Sequence, residues 1–395
     1  TTDAVAEAPE VDDYGSGEIK VWVADNVVDF TTSKIDEFIA ANPQYNGYTF
    51  TVEAVGEGDA AGNMITDVEA GADIYAFAQD QIARLVTAGA LEEVAPENVD
   101  AVKSENDAGA VSAATVGSTL YAYPLTSDNG YFLYYDSSVV SDPSTLESII
   151  SDCESAGKNF YMEINSGWYQ TAFFFGTGCE LTYDTDDQGN FTKANVDYAS
   201  DKGVIALKKM IELSESSSFQ NGSAIGEATN VGAIVDGTWD SGAAQELFGD
   251  NYACAKLPTF QGADGQTYQM SGFGGFKLLG VKPQEDELKL MVCDAVAYYL
   301  ASEDVQLARY SEVGWGPSNL NAQSSSEVQA DVALSALAEQ LAFTIPQGQY
   351  PGDYWSLATS LGDSVRSGEL TSTSSDDDLL SALQNFQDTC ISYAE

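Results

Sequence analysis

From Glu18 onward, β-branched clusters alternate with amphipathic stretches, and that alternation confines the chain to α/β architectures. Ile19 to Val23, bounded by Gly17, predicts a strand. Thr32 or Ser33 can then cap a helix carrying Ile35, Phe38 and Ile39, which ends near Asn42-Pro43. Tyr48 to Val55 alternates as a second strand with Phe50, Val52 and Ala54 on one face. Next come a helix from Asp59, a short buried strand from Asp73 to Ala78, and a helix from Gln79 to Ala88, stopped by Gly89. The pattern predicts a doubly wound sheet, whose ligands sit at the carboxyl ends of strands, where Asp25, Phe77 and Asp80 fall.

A second α/β stretch begins after Pro124. It comprises a strand from Tyr131 to Tyr135, a capped helix from Pro143 to Gly157, and an aromatic run from Trp168 to Phe175. A helix from Gly203 to Ser214 is next, then a buried strand, Val231 to Val235, that delivers Asp236-Gly237-Thr238-Trp239 to a helix start. Ser375 with Asp376 caps a final helix. The run Asp184-Thr185-Asp186-Asp187-Gln188-Gly189 begins like a calcium loop, but its twelfth position is Asn195 and helical flanks are missing, so a hairpin turn is expected. Residues 1 to 17 are rich in Ala, Glu, Asp, Gly and Pro without a hydrophobic period, which predicts a disordered tether.

At 395 residues the chain is long for one core, and two domains are expected. No apolar run reaches the length of a membrane helix; Leu290 to Ala301, interrupted by Asp294, predicts a buried helix. Charge sets the class of partner. Fifteen Lys and Arg against 62 Asp and Glu give −47, a field that repels nucleic acid, anionic lipid surfaces and anionic small ligands. A neutral ligand fits. The absence of histidine removes Ser-His-Asp and Cys-His nucleophiles and every imidazole zinc motif. Neither a P-loop nor a dinucleotide fingerprint is present, since Gly272-Phe273-Gly274-Gly275 lacks the spacing. No metal or cofactor is expected. The five cysteines contain no C-x-x-C pair, and their odd number prevents complete pairing. Cys153, Cys293 and Cys390 continue apolar stripes and are expected as buried thiols, while a Cys153–Cys179 bridge stays open.

Several segments then take on meaning through their order. They are Ile19–Ala24, Asp73–Asp80 with the helix ending in Gly89-Ala90-Leu91, and Leu120–Leu125. Asp236-Gly237-Thr238-Trp239, Leu257-Pro258-Thr259-Phe260 and Ile345-Pro346-Gln347 leading to Tyr354-Trp355 complete the series. In this order and spacing the chain resembles the maltose and maltooligosaccharide-binding proteins of ATP-driven sugar importers. The resemblance implies a non-enzyme with a two-lobe periplasmic-binding-protein-like fold. One lobe would comprise 18–126 plus 276–317 and the other 127–275 plus 318–395, with hinge crossovers near 125–128, 272–277 and 316–320. A neutral oligosaccharide, most closely an α-1,4-linked maltooligosaccharide, would bind in the cleft between lobes, whose closure presents it to the permease subunits of an ABC transporter. The resemblance further implies an extracellular monomer on a Gram-positive cell surface, held by a lipidated Cys upstream of Thr1. Another oligosaccharide on the same fold, or a glycoside hydrolase using two carboxylates, is the alternative.

Carried over by position, Phe77 stands where an aromatic lines the sugar groove, and Asp80 matches a hydroxyl-binding carboxylate, although the following family Arg is Gln81. Asp25 with Asn26 replaces a carboxylate–lysine pair, so one cationic donor is missing. Asp128 falls near a family Glu, and Trp168 with Tyr169 fills an acidic–aromatic pair with Tyr169 as the stacking platform. Trp239 and Trp355, the latter preceded by Tyr354, match tryptophans that stack on successive glucose rings. Such residues suit a pyranose, whose C–H face meets a ring while its hydroxyls meet carboxylates and amides.

Overall fold

The structure, a computed structural model, describes residues 13–186 and 190–394. The chain divides into two compact units, residues 1–128 with 275–329 and residues 129–274 with 330–395.

The first unit is built on a sheet in which Tyr48–Ala54, Gly17–Val23 and Ile74–Ala78 run parallel in that spatial order. The strand Phe273–Val281 enters this unit at Gly275 and lies antiparallel to Ile74–Ala78, placing Lys277 opposite Ala78 and Leu279 opposite Ala76. Tyr123–Asn129 pairs with the same strand. Ile74 to Phe77 are buried throughout, as befits a parallel strand covered on both faces. The helices Val28–Ala41 and Glu287–Leu300 supply part of that cover, the second contributing Val292, Cys293, Val296, Ala297 and Leu300.

Three local expectations change here. The first helix begins at Val28, directly after the turn Asp25–Val27, so Thr32 and Ser33 are internal to it and Thr32 Oγ1 donates to the Val28 carbonyl. The tether expectation for residues 1–12 lies outside the described residues. Beyond them, Tyr14 is buried edge-on against Tyr45, with its carbonyl accepting from the Tyr48 hydroxyl at 2.7 Å, and Gly17 already belongs to a strand. The third crossing falls at 329/330 rather than near 317, because Gln306, on the helix Glu303–Val313, holds residues 318 and 319. Its Oε1 accepts from the Ser318 and Asn319 N–H groups at 2.8 and 2.9 Å, which fixes their loop to the first unit.

Asp73 is the electrostatic centre of this unit's sheet. Burial pushes its carboxyl up, but the Lys20 N–H at 2.8 Å, Lys289 Nζ at 3.0 Å and Gln284 Nε2 at 2.9 Å outweigh it and hold the group below its ordinary value. A depressed folded-state pKa contributes stability above the unfolded value near ~3.9 and loses it as pH falls through the folded value. Asp73→Asn is therefore expected to cost about 2 kcal/mol at pH 7. In urea titrations the difference from wild type should shrink toward pH 3; a constant difference would mean that shape, not charge, sets it.

The second unit has a mixed sheet ordered Phe219–Gln220, Asn159–Tyr161, Val231–Gly237, Tyr131–Asp136 and Tyr252–Ala255. The first three run parallel and the last two antiparallel to their neighbours, with Gly237 opposite Tyr131. Thr145 and the left-handed Gly157 cap the helix Leu146–Ala156, and Ser375 forms a capping box with Asp378 on Asp376–Ser392. Tyr198 lies stacked between Phe174, at 4.1 Å, and Phe386, at 5.2 Å. The strands Leu181–Thr185 and Phe191–Val196 are antiparallel on either side of the calcium-like run, of which residues 187–189 lie outside the described residues. All five cysteines are free thiols, four buried and Cys254 half-buried. No described helix is long and apolar enough to cross a membrane.

Candidate functional site

In the second unit the fully buried strand Val231–Gly237 ends in a tight turn, Thr238–Asp240, which throws Trp239 outward. Its indole is 52% exposed, whereas Trp22 is buried and the other three tryptophans are half-buried. The ring lies against the Gly237 backbone so closely that a Cβ there would fall 2.0 Å from it. Trp168 stands beside it, ring centroids 5.7 Å apart, with its Nε1–H donated to Gln347 Oε1 at 3.1 Å. The short strand Ile345–Pro346, paired with Phe273 and Gly274, delivers that glutamine.

Beneath the two indoles, Tyr131 meets Trp168 edge-on at 4.8 Å and donates its hydroxyl to the Trp168 carbonyl at 2.9 Å. Trp355, half-buried on the helix Gly352–Arg366, joins through Gly167, where a Cβ would lie 3.1 Å from its ring. Trp239 and Trp168 thus stand side by side, with Trp355 packed against the loop that carries Trp168.

Two of the expected ligand residues lie inside the core. Tyr354 is fully buried, with its hydroxyl donated to the Gly167 carbonyl at 2.8 Å, so it anchors the Trp168 loop to the helix from inside the core. Tyr169 is 6% exposed and meets Trp168 edge-on at 5.1 Å. It supports the platform; its faces are covered.

Carboxyl groups lie close to these rings. Asp236 is fully buried and accepts from the Gly237 and Ile225 N–H groups at 2.8 and 3.1 Å. Desolvation raises its pKa, and Asp240, within hydrogen-bonding reach, adds to the rise because two adjacent carboxylates resist sharing two negative charges. Glu163, which accepts from the Ser223 hydroxyl, also acts on Tyr169.

In the first unit, Asp25 and Asn26 are exposed in the turn just past the strand Gly17–Val23. Asp80 is half-buried just past Ile74–Ala78; burial pushes its carboxyl up to about 6, against hydrogen bonding from Gln81 Nε2 at 2.9 Å. The Asp128 carboxylate accepts from the Gly316 N–H at 2.9 Å. Phe77 lies inside as well. It is fully buried within its strand, 5.7 Å from Tyr75, and opposite Leu278, because every position from Ile74 to Phe77 is covered on both faces of the sheet. Asp25, Asn26, Asp80 and Asp128 thus share a unit and lie at strand ends, while Trp168 and Trp239 stand side by side on the other unit, which also carries Trp355.

Sequence reasoning did not single out Gln347 as a partner of Trp168, nor Gly167 and Gly237 as seats for indoles. Their proximity to tryptophan in sequence was the available signal for the glycines; nothing in the sequence ties Gln347 to a residue 179 positions away.

Solved structures share the fold. The maltodextrin binding protein MalE1 from L. casei BL23, without ligand, matches at a TM-score of 0.79 with 21% identity, over 96% of this chain and 99% of that one. A cyclo/maltodextrin-binding protein complexed with maltotetraose matches at 0.74 with 18% identity, over 97% and 98%. The maltose-binding protein MalE from Listeria monocytogenes, in complex with maltose, matches at 0.68 with 20% identity, over 94% and 98%. No curated protein matches in sequence. Residues 35–336 match the description of bacterial extracellular solute-binding proteins. Two α/β units entered by repeated chain crossings, this fold likeness and that match over most of the chain lead to one conclusion: the chain belongs to the bacterial extracellular solute-binding protein family.

Proposed function

We propose that this chain captures neutral oligosaccharides, most closely α-1,4-linked maltooligosaccharides, outside the cell. It hands them to the permease of an ABC importer by domain closure, as a monomer held at the membrane by a lipid anchor and without altering the bound sugar. The observation that carries the reading is the exposed Trp239 indole with Trp168 at 5.7 Å and Trp355 packed against the loop that carries Trp168. Large aromatics left open in a cluster imply a ligand, and rings beside carboxyl groups suit the apolar face and hydroxyl rim of a pyranose. A charge of −47 speaks for a neutral ligand. Maltodextrin, maltotetraose and maltose, named for the proteins of similar fold, support the choice of α-1,4-glucans. Asp25, Asn26, Asp80 and Asp128 are the proposed hydroxyl partners on the first unit.

A thermal-shift panel of maltotriose, maltotetraose, cellotriose, raffinose and lactose tests this, with each mixture checked for cleavage. Ligand at about 100 times its dissociation constant stabilises by about 2.7 kcal/mol, enough to raise the melting temperature by several degrees. The shift is expected with maltotriose and maltotetraose and without released monosaccharide. A shift with another sugar alone replaces the ligand. Cleavage products, or no shift with any member, would sink the proposal.

A further inference from the structure

Lys277 rests on a ring where several other lysines of this chain meet a carboxylate. The chain carries 62 acidic residues against 15 basic ones. Lys34, Lys202, Lys208, Lys209 and Lys289 each have a carboxylate within 3.0 Å. The Lys277 ammonium forms no ion pair among the described residues; it stands 3.4 Å above the centroid of the Trp315 indole. Neither side chain is buried, and both are partly open to solvent.

The pair is held from both sides. Gly316 donates to the Asp128 carboxylate at 2.9 Å and accepts from the Ser127 N–H at 3.1 Å, which fixes the loop that carries Trp315. Lys277 lies opposite Ala78 in the sheet, and its N–H bonds Thr126 Oγ1 at 3.2 Å. Its two neighbouring strands are therefore those that deliver Asp80, two residues after Ala78, and Asp128, two residues after Thr126. An ammonium spent on a carboxylate has little left for a ligand. One resting on a ring keeps N–H groups free to donate.

The geometry points to Lys277, propped by Trp315, as the cationic donor through which the first unit binds a sugar hydroxyl. This assignment rests on the oligosaccharide reading above.

Calorimetric titration of the full chain with maltotetraose tests it. Lys277→Met is expected to raise the dissociation constant about tenfold, the effect of losing one charged hydrogen bond, while Lys277→Arg stays within about threefold of wild type. The melting temperature of the sugar-free protein should move by no more than about 2 °C, since the substitution lies at a partly open site. Equal affinities of Lys277→Met and wild type would overturn the assignment and leave the oligosaccharide reading standing. Failure of wild type to bind maltotetraose or any other sugar of the panel overturns both. Should Lys277→Met not fold, Trp315→Leu is read in the same titration: it keeps the lysine but removes its support. An affinity unchanged there would overturn the propping role on which the assignment depends.

Discussion

Trp239→Ala should weaken maltotetraose binding by about 2–3 kcal/mol, a 30- to 150-fold rise in dissociation constant, with the melting temperature of the free protein almost unchanged. The two halves of that expectation have separate causes. With 52% of its surface exposed, the indole contributes little to the core of the second unit, so its removal leaves the fold intact. Its place against Gly237 fixes the ring before any sugar arrives, so stacking is gained without the cost of ordering a side chain. Gly237→Ala should mimic the loss, because its new methyl group would have to displace the indole. Trp239→Phe, with a smaller face, should fall between. Calorimetry on the three variants decides the matter, and wild-type affinity in Trp239→Ala would remove the stacking platform from the proposed function.

Gly362→Ala is expected to be the most damaging small substitution near the site, at about 3 kcal/mol or more, or a fall of about 6–12 °C in melting temperature. Gly362 lies on the helix that carries Trp355, which packs so tightly on the loop leading to Trp168 that a Cβ would stand 2.3 Å from the Asn165 Cα and 2.5 Å from the Ile164 carbonyl oxygen. Both obstacles are backbone, so no rotamer change relieves them. The helix must move, and it takes Trp355 away from Gly167 and the Trp168 loop. Sugar affinity should therefore fall together with stability. Ser360→Ala, exposed on the same helix, is the control and should change the melting temperature by no more than about 1 °C. A Gly362→Ala protein as stable as the control would show that helix and loop can separate without loss.

The features legible in the sequence were those that local chemistry determines. Clusters such as Ile19–Val23 and Val231–Val235 announced strands, and Ser375 announced the start of the last helix, because β-branching and capping act over a few residues. The start of the first helix was not legible, since the turn at Asp25–Val27 leads into it without a side-chain cap at Val27. The aromatics divide for a different reason. Phe77 and Tyr354 carry the same chemistry as groove-lining rings; only the cover on both faces of a parallel strand, and the Gly167 carbonyl waiting for a hydroxyl, place them inside. Lys277 escaped notice because its meaning comes from the pairing with Ala78, 199 positions earlier, and from a tryptophan on another loop.

The interleaved course of the chain also dictates when its parts can form. As synthesis proceeds from the amino end, Ile74–Ala78 is made long before Lys277–Val281, the segment that fills its open edge. Asp73 likewise waits for Lys289 and Gln284. Until those residues emerge, Tyr75 and Phe77 lack part of their cover, and a nascent chain ending before Gly275 presents an unpaired strand edge that can join another chain. The first unit is therefore completed late, after the whole segment 129–274 has been made, and its folding is a property of the nearly finished polypeptide rather than of its amino-terminal third.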